Sequence, residues 1–150
     1  MSGISTRFVT DGDRERWEVM FNAFGSRFSG PHEPAVLERT WQEITSETGS
    51  ITCLIASIGQ NLVGFAHLSV RFSTFEAAHY LSVDDVYVDE DNRRNGVGTA
   101  LMEGAFQLAV DNDLAYVSWW ANKWNRAATD FHSAVGTFVG EHGEFQKDLR

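Results

Sequence analysis

At 150 residues and 43% hydrophobic content, the chain has enough apolar material for one compact core, which excludes a disordered segment or a linker array. Twelve basic residues against 21 acidic ones leave a formal net charge of −9, a balance that disfavours a nucleic-acid partner and draws in small cations. No apolar run reaches the roughly 20 residues of a membrane span, and the first residues lack the apolar middle of a signal peptide, so the expectation is one soluble, cytoplasmic domain over residues 1–150 with no membrane contact.

In chain order, "ISTRFVT" alternates weakly and reads as a first strand. Asp11 and Asp13 then stand as N-caps to a helix whose apolar positions Trp17, Met20, Phe21 and Phe24 recur at helical spacing. A second helix starts near Pro34, a residue tolerated in a first turn, and turns Leu37, Trp41 and Ile44 inward. "SITCLIASIGQNLVGFAHLSV" predicts two strands joined at Gly59, Gln60 and Asn61. Within it lies Cys53, the only cysteine, which can form neither an internal disulfide nor a metal cluster and reads as a buried strand thiol.

"AHYLSVDDVYV" predicts a long strand whose period of two places Ser82, Asp84, Val86 and Val88 on one face and Val83, Asp85 and Tyr87 on the other. Next, Val97, Ala100, Leu101, Gly104, Ala105, Leu108 and Ala109 form an apolar helical stripe with Glu103 and Gln107 opposite. "LAYVSWW" reads as a strand, followed by a short helix from about Asn125 to Ala134 and two strands around Gly140 and Gly143. The order β α α β β β α β α β β is that of a mixed α/β fold, a central twisted mixed sheet flanked by helices.

Between the long strand and the striped helix lies "DNRRNGVGTAL". A loop that leaves a strand and enters a helix through Gly96 and Gly98 exposes unpaired N–H groups at the positive end of the helix dipole, a geometry suited to phosphate. Arg93 and Arg94 add charge to it. A dinucleotide fingerprint would need a third glycine where Leu101 stands, and a P-loop would need Lys and then Ser or Thr after its last glycine, where Thr99 and Ala100 stand.

Arg93-Arg94-Asn95-Gly96-Val97-Gly98 matches instead the acyl-CoA pattern Arg/Gln-x-x-Gly-x-Gly/Ala, directly after "VYV". Here the chain resembles the GNAT superfamily of acetyltransferases. "CLIAS", "VGFAHLSVRFST", "LSVDDVYV" and "WWANKWNRAATDFH" resemble its diamine and spermidine acetyltransferase branch over roughly Cys53 to Gly136. That resemblance implies a GNAT-type sheet and acetyl-CoA as cosubstrate, with no metal. The backbone of Val86, Tyr87 and Val88 would meet the pantetheine arm, the loop amides from Arg94 to Thr99 the pyrophosphate, and Asn125 and Ala128 a second cofactor contact.

The resemblance further places Asp84 where the branch has a glutamate that binds the acceptor and takes its proton. His132, in "DFH", stands where the family has the tyrosine that protonates the leaving thiolate. Ser118, Trp119 and Trp120 match acceptor-contacting positions, with Phe24 and Phe28 as opposing aromatic walls. The implied partner is a small-molecule amine, the implied assembly a homodimer. Two readings stay open beside it: transfer to a protein lysine or N-terminus, and a non-catalytic acyl-CoA-binding module. The acidic first-helix residues of a polyamine enzyme are not evident around "FNAFGSRFSG", where Arg27 would repel a cation.

Overall fold

A computed structural model describes residues 3–120, 134, 136 and 146–149. The chain divides into two compact units, Met1–Trp120 and Ala121–Arg150. The first unit carries all the sheet and helix packing described below. The expected helix from Asn125 and the two strands near Gly140 and Gly143 lie outside the described residues.

Strand β1 (Ile4–Phe8) leads through a 3₁₀ turn (Asp11–Asp13) to α1 (Arg14–Gly25) and α2 (Pro34–Thr45). Strands β2 (Thr52–Ile58), β3 (Asn61–Ser73) and β4 (Ala78–Val88) follow, then α3 (Val97–Asp111) and β5 (Val117–Trp119). The sheet order is β1-β2-β3-β4-β5, antiparallel except for the parallel β4–β5 pair. This mixed sheet flanked by helices reproduces the expected order as far as β5. Gly59, at φ +60°, supplies the left-handed turn of the β2–β3 hairpin, but Asn61 already pairs with Ile58 as the first residue of β3 rather than belonging to the turn.

Alternation along the strands sorts the core onto two faces. On one, Cys53, Ile55, Phe65 and Tyr87 pack with Trp17, Met20 and Phe21 of α1 and Leu37, Trp41 and Ile44 of α2. The helical stripes of α1 and α2 are thus buried as their spacing predicts, Pro34 occupying the first turn of α2. The other face takes α3, through buried Val97, Leu101, Met102, Ala105 and Ala109. At Gly64 of β3 the packing is tight: a Cβ there would lie 2.7 Å from the Tyr87 carbonyl and 3.2 Å from Val97 Cγ1, so only glycine lets β3 lie this close to the end of β4 and the first turn of α3.

Asp13 does not cap α1. Its carboxylate turns back to receive both Arg7 Nη atoms, at 2.7 and 3.0 Å, and the Thr10 N–H at 2.7 Å, because a bidentate charged pair outweighs a helix amide. The Arg7 guanidinium, helped by Thr10 and opposed by burial, lowers the Asp13 carboxyl from its ordinary 3.8 to about 2. A depressed carboxyl contributes stability above its unfolded value and loses it as pH falls. Asp13→Asn is therefore expected to cost about 2 kcal/mol at neutral pH. Urea unfolding should show that gap closing as pH falls from about 4 towards about 2.

Candidate active site

β5 pairs with β4 only at Leu81, Ser82 and Val83, opposite Val117, Ser118 and Trp119. β4 then continues through Asp84, Asp85, Val86, Tyr87 and Val88, still bonded to β3 on its other side. Among the described residues, the β5-side edge of that stretch is left as one arm of a fork. Its backbone is the one expected to meet a pantetheine arm. Tyr87 contributes backbone only, since its ring is buried against Phe65 at 5.7 Å with the Arg27 guanidinium 5.0 Å above it. Burial pushes the Tyr87 hydroxyl up, and neighbouring Asp89 adds to the effect.

The open arm runs into the glycine loop. Arg94 and Gly96 both adopt left-handed backbone, at φ +64° and +86°, a conformation that glycine takes freely and that marks a sharply turned loop. Gly96 is the N-cap of α3 with no side-chain cap, and the helical ladder begins with the Ala100 N–H on the Gly96 carbonyl at 2.9 Å. The N–H groups of Val97, Gly98 and Thr99 consequently lack an intrahelical acceptor. Arg93, Arg94 and Asn95 are exposed around this turn. Arg93 also braces the loop, its Nε donating to the Val88 carbonyl at 3.1 Å. Amides without an intrahelical acceptor, a helix N-terminus and guanidinium charge, at the end of a strand edge unpaired among the described residues, form a donor set that fits a pantetheine diphosphate.

Asp84 sits where the fork opens, and it breaks the period of two. His67 pairs with Asp85 and Leu68 with Val83, leaving Asp84 as the extra residue of a β-bulge. The Ser69 and Ser82 hydroxyls each donate to its carboxylate at 2.8 Å. Ser69 and His67 lie two residues apart on β3 and so share a face. Asp84, held by Ser69, and Asp85, held by His67, therefore present their carboxylates to the same side of the sheet, contrary to the expected alternation. Ser82, ahead of the bulge, shares that side with Tyr87 beyond it. A bulge carries no sequence marker here, neither glycine nor proline, so strict alternation missed it.

The aromatic walls are not brought together as expected. Trp119 packs against Phe106 of α3 at 5.9 Å, whereas Phe28 meets Phe24 at 5.3 Å beyond α1, on the opposite face of the sheet. Phe28 and Trp120 are largely exposed, and Ser118 pairs with Ser82 beside the bulge. His132, Asn125 and Ala128 lie outside the described residues. Cys53 is 1% exposed, and burial, with the charges of Asp13 and Asp85, pushes its thiol far up, so it offers no nucleophilic thiolate.

One polar residue was missed by sequence reasoning. His67 is buried in the middle of β3, between the Trp17 indole and the Asp85 carboxylate. A lone histidine within the apolar run "VGFAHLSV" is the signal that marks it.

The chain matches the model of the Acetyltransferase (GNAT) family over residues 17–137. It is 26% identical over 98 residues to the thialysine N-epsilon-acetyltransferase of Bos taurus, an alignment covering 60% of this chain and 57% of that protein. The chain spans about half the length of the curated relatives it matches. In fold it is similar to a transcriptional regulator from Bacillus halodurans C-125, with a TM-score of 0.83 at 19% identity, covering 97% of this chain and 99% of that one. An aminoglycoside acetyltransferase from an uncultured soil metagenomic sample, in complex with sisomicin, gives a TM-score of 0.81 at 17% identity, with 98% and 97% covered. With the family model spanning the forked strand, the glycine turn and the helix behind it, the chain belongs to the GNAT family of acetyltransferases.

Proposed function

We propose that the chain works as one domain that transfers an acetyl group from acetyl-CoA to a primary amine of a small molecule, by direct transfer in a ternary complex. The acceptor class is a diamine, a polyamine or an amino acid derivative. The observation that carries this reading is the continuity of the open β4 edge with the uncapped first turn of α3 behind Gly96. Val86, Tyr87 and Val88 would hold the pantetheine arm by their backbone, and Arg93, Arg94, Asn95, Gly96, Val97, Gly98 and Thr99 the diphosphate. Asn125 and Ala128 would complete the cofactor contact.

When bound, acetyl-CoA supplies an activated thioester. An alkylammonium with a pKa of about 10.4 is only about one part in a thousand neutral at pH 7, so the acceptor must lose a proton before it can attack. Asp84 is the base in this scheme: it stands at the fork, exposed, with its carboxylate oriented by two serine hydroxyls. His132 gives a proton to the departing sulfur, and Ser118, Trp120 and Phe28 line the acceptor's approach, while Trp119, packed against Phe106 on the other face, supports β5 from behind. Likeness to the diamine acetyltransferase branch supports a cytoplasmic homodimer as the working unit.

Thiol release from acetyl-CoA across a panel of diamines, polyamines, amino acid derivatives and aminoglycosides tests the proposal. Turnover with one of these classes is expected; acetyl-CoA binding with no turnover on any amine would leave a binding module instead. Asp84→Asn is expected to flatten the acidic limb of the pH–rate curve, and an unchanged limb would remove Asp84 from the reaction.

A further inference from the structure

A buried chain of hydrogen bonds ends at the fork without a part in the chemistry above. Trp17 is fully buried and His67 is 3% exposed. The Trp17 indole Nε1–H lies 3.0 Å from His67 Nε2, and His67 Nδ1 lies 2.8 Å from Asp85 Oδ2. An indole nitrogen can only donate, so Nε2 must accept and the ring proton sits on Nδ1, from which it is donated to Asp85. Phe21, with its ring 5.1 Å away and edge-on, and Phe65, at 4.5 Å, wall the imidazole in. Turning the ring over would break both hydrogen bonds, so position and tautomer are fixed together.

Asp85 belongs to two environments. One oxygen is tied to this buried donor, while about a third of the side chain remains exposed on the same side of the sheet as Asp84. A carboxylate on the surface normally samples several rotamers; one held by a rigid, single-tautomer donor keeps one orientation. An acceptor ammonium has three N–H bonds and can donate to two carboxylates at once.

We propose that His67, backed by Trp17, is a positioning residue that fixes the Asp85 carboxylate at the head of the β4–β5 fork, where it holds the acceptor's ammonium beside Asp84. This role rests on the acetyltransferase reading. It assigns Asp85 to the acceptor, with Asp84 still taking the proton, and it places specificity for a cationic amine in two carboxylates rather than in the aromatic residues.

Two substitutions, each keeping the polar atom of one ring nitrogen, separate positioning from packing. In His67→Asn the amide nitrogen stands where Nδ1 stood and keeps a donor for Asp85, while Trp17 loses its acceptor. In His67→Gln an acceptor remains for Trp17 and the donor to Asp85 is lost. His67→Gln is expected to lower kcat/KM for the amine by roughly 10- to 100-fold, as a misplaced group does, with the KM for acetyl-CoA unchanged. His67→Asn should stay within about threefold of wild type despite lower stability. Wild-type kcat/KM in His67→Gln, or an equal loss in both variants, would overturn the role.

The ¹⁵N NMR spectrum of the wild-type ring gives a readout independent of turnover. A protonated Nδ1 with a lone-pair Nε2 is expected, and the Nδ1 signal should shift in Asp85→Asn. A proton on Nε2 would overturn the assignment. A wild-type chain that releases no thiol with any amine would overturn the acetyltransferase reading and this role with it. Normal wild-type turnover with an indifferent His67→Gln would overturn the role alone.

Discussion

Gly98→Trp is expected to weaken acetyl-CoA binding by at least about 100-fold, equivalent to about 2.7 kcal/mol, while the protein still folds. Gly98 lies in the first turn of α3, where the amides of Val97, Gly98 and Thr99 have no helical acceptor. An indole there stands between those amides and any phosphate. Because tryptophan is a better helix former than glycine by a few tenths of a kcal/mol, the helix itself is not the casualty. Arg93→Glu should weaken binding as well, by reversing a charge and by releasing the loop from the Val88 carbonyl. Isothermal calorimetry with CoA measures both, and an affinity equal to wild type in Gly98→Trp would remove the phosphate cradle from the proposal.

The largest stability effect is expected at Phe65. Its ring is fully buried and meets Phe21, Phe24, His67 and Tyr87 with centroid distances of 4.5 to 6.0 Å. Phe65→Ala leaves a cavity in the middle of this aromatic layer and should cost about 3–5 kcal/mol. That is a large part of the 5–15 kcal/mol typical of a whole domain. Phe28→Ala, at a residue 75% exposed, should change stability by no more than about 0.5 kcal/mol. Urea unfolding of the two variants side by side measures the contrast. Comparable losses would mean that Phe65 is not the centre of the α1-side core.

Most of the scaffold was legible because its signals are local. Trp17, Met20 and Phe21 mark one helix by spacing alone, Pro34 opens the next, and Gly59 turns the hairpin. The glycine loop was legible for the same reason: its strand, turn and helix are consecutive in the chain. What escaped depends on partners remote in sequence. His67 is 50 residues from Trp17 and 18 from Asp85, so nothing near it announces a hydrogen-bonded chain. Asp13 looks like a helix cap until the fold brings Arg7 alongside. The bulge at Asp84 depends on how β3 lies against β4, and the spacing of β4 alone contains no trace of it.

That extra residue divides β4 into two segments that are out of phase. Upstream of Asp84, side chains on the α1 face of the sheet fall on even numbers, as at Ser82; downstream they fall on odd ones, as at Asp85 and Tyr87. Excising Asp84 would join Val83 directly to Asp85, mend the ladder and leave every other side chain of β4 on its present face, because the bulge is one residue inserted into an otherwise regular alternation. A strand of regular count grafted in its place would therefore fit the same core and still lack the one carboxylate that Ser69 and Ser82 orient.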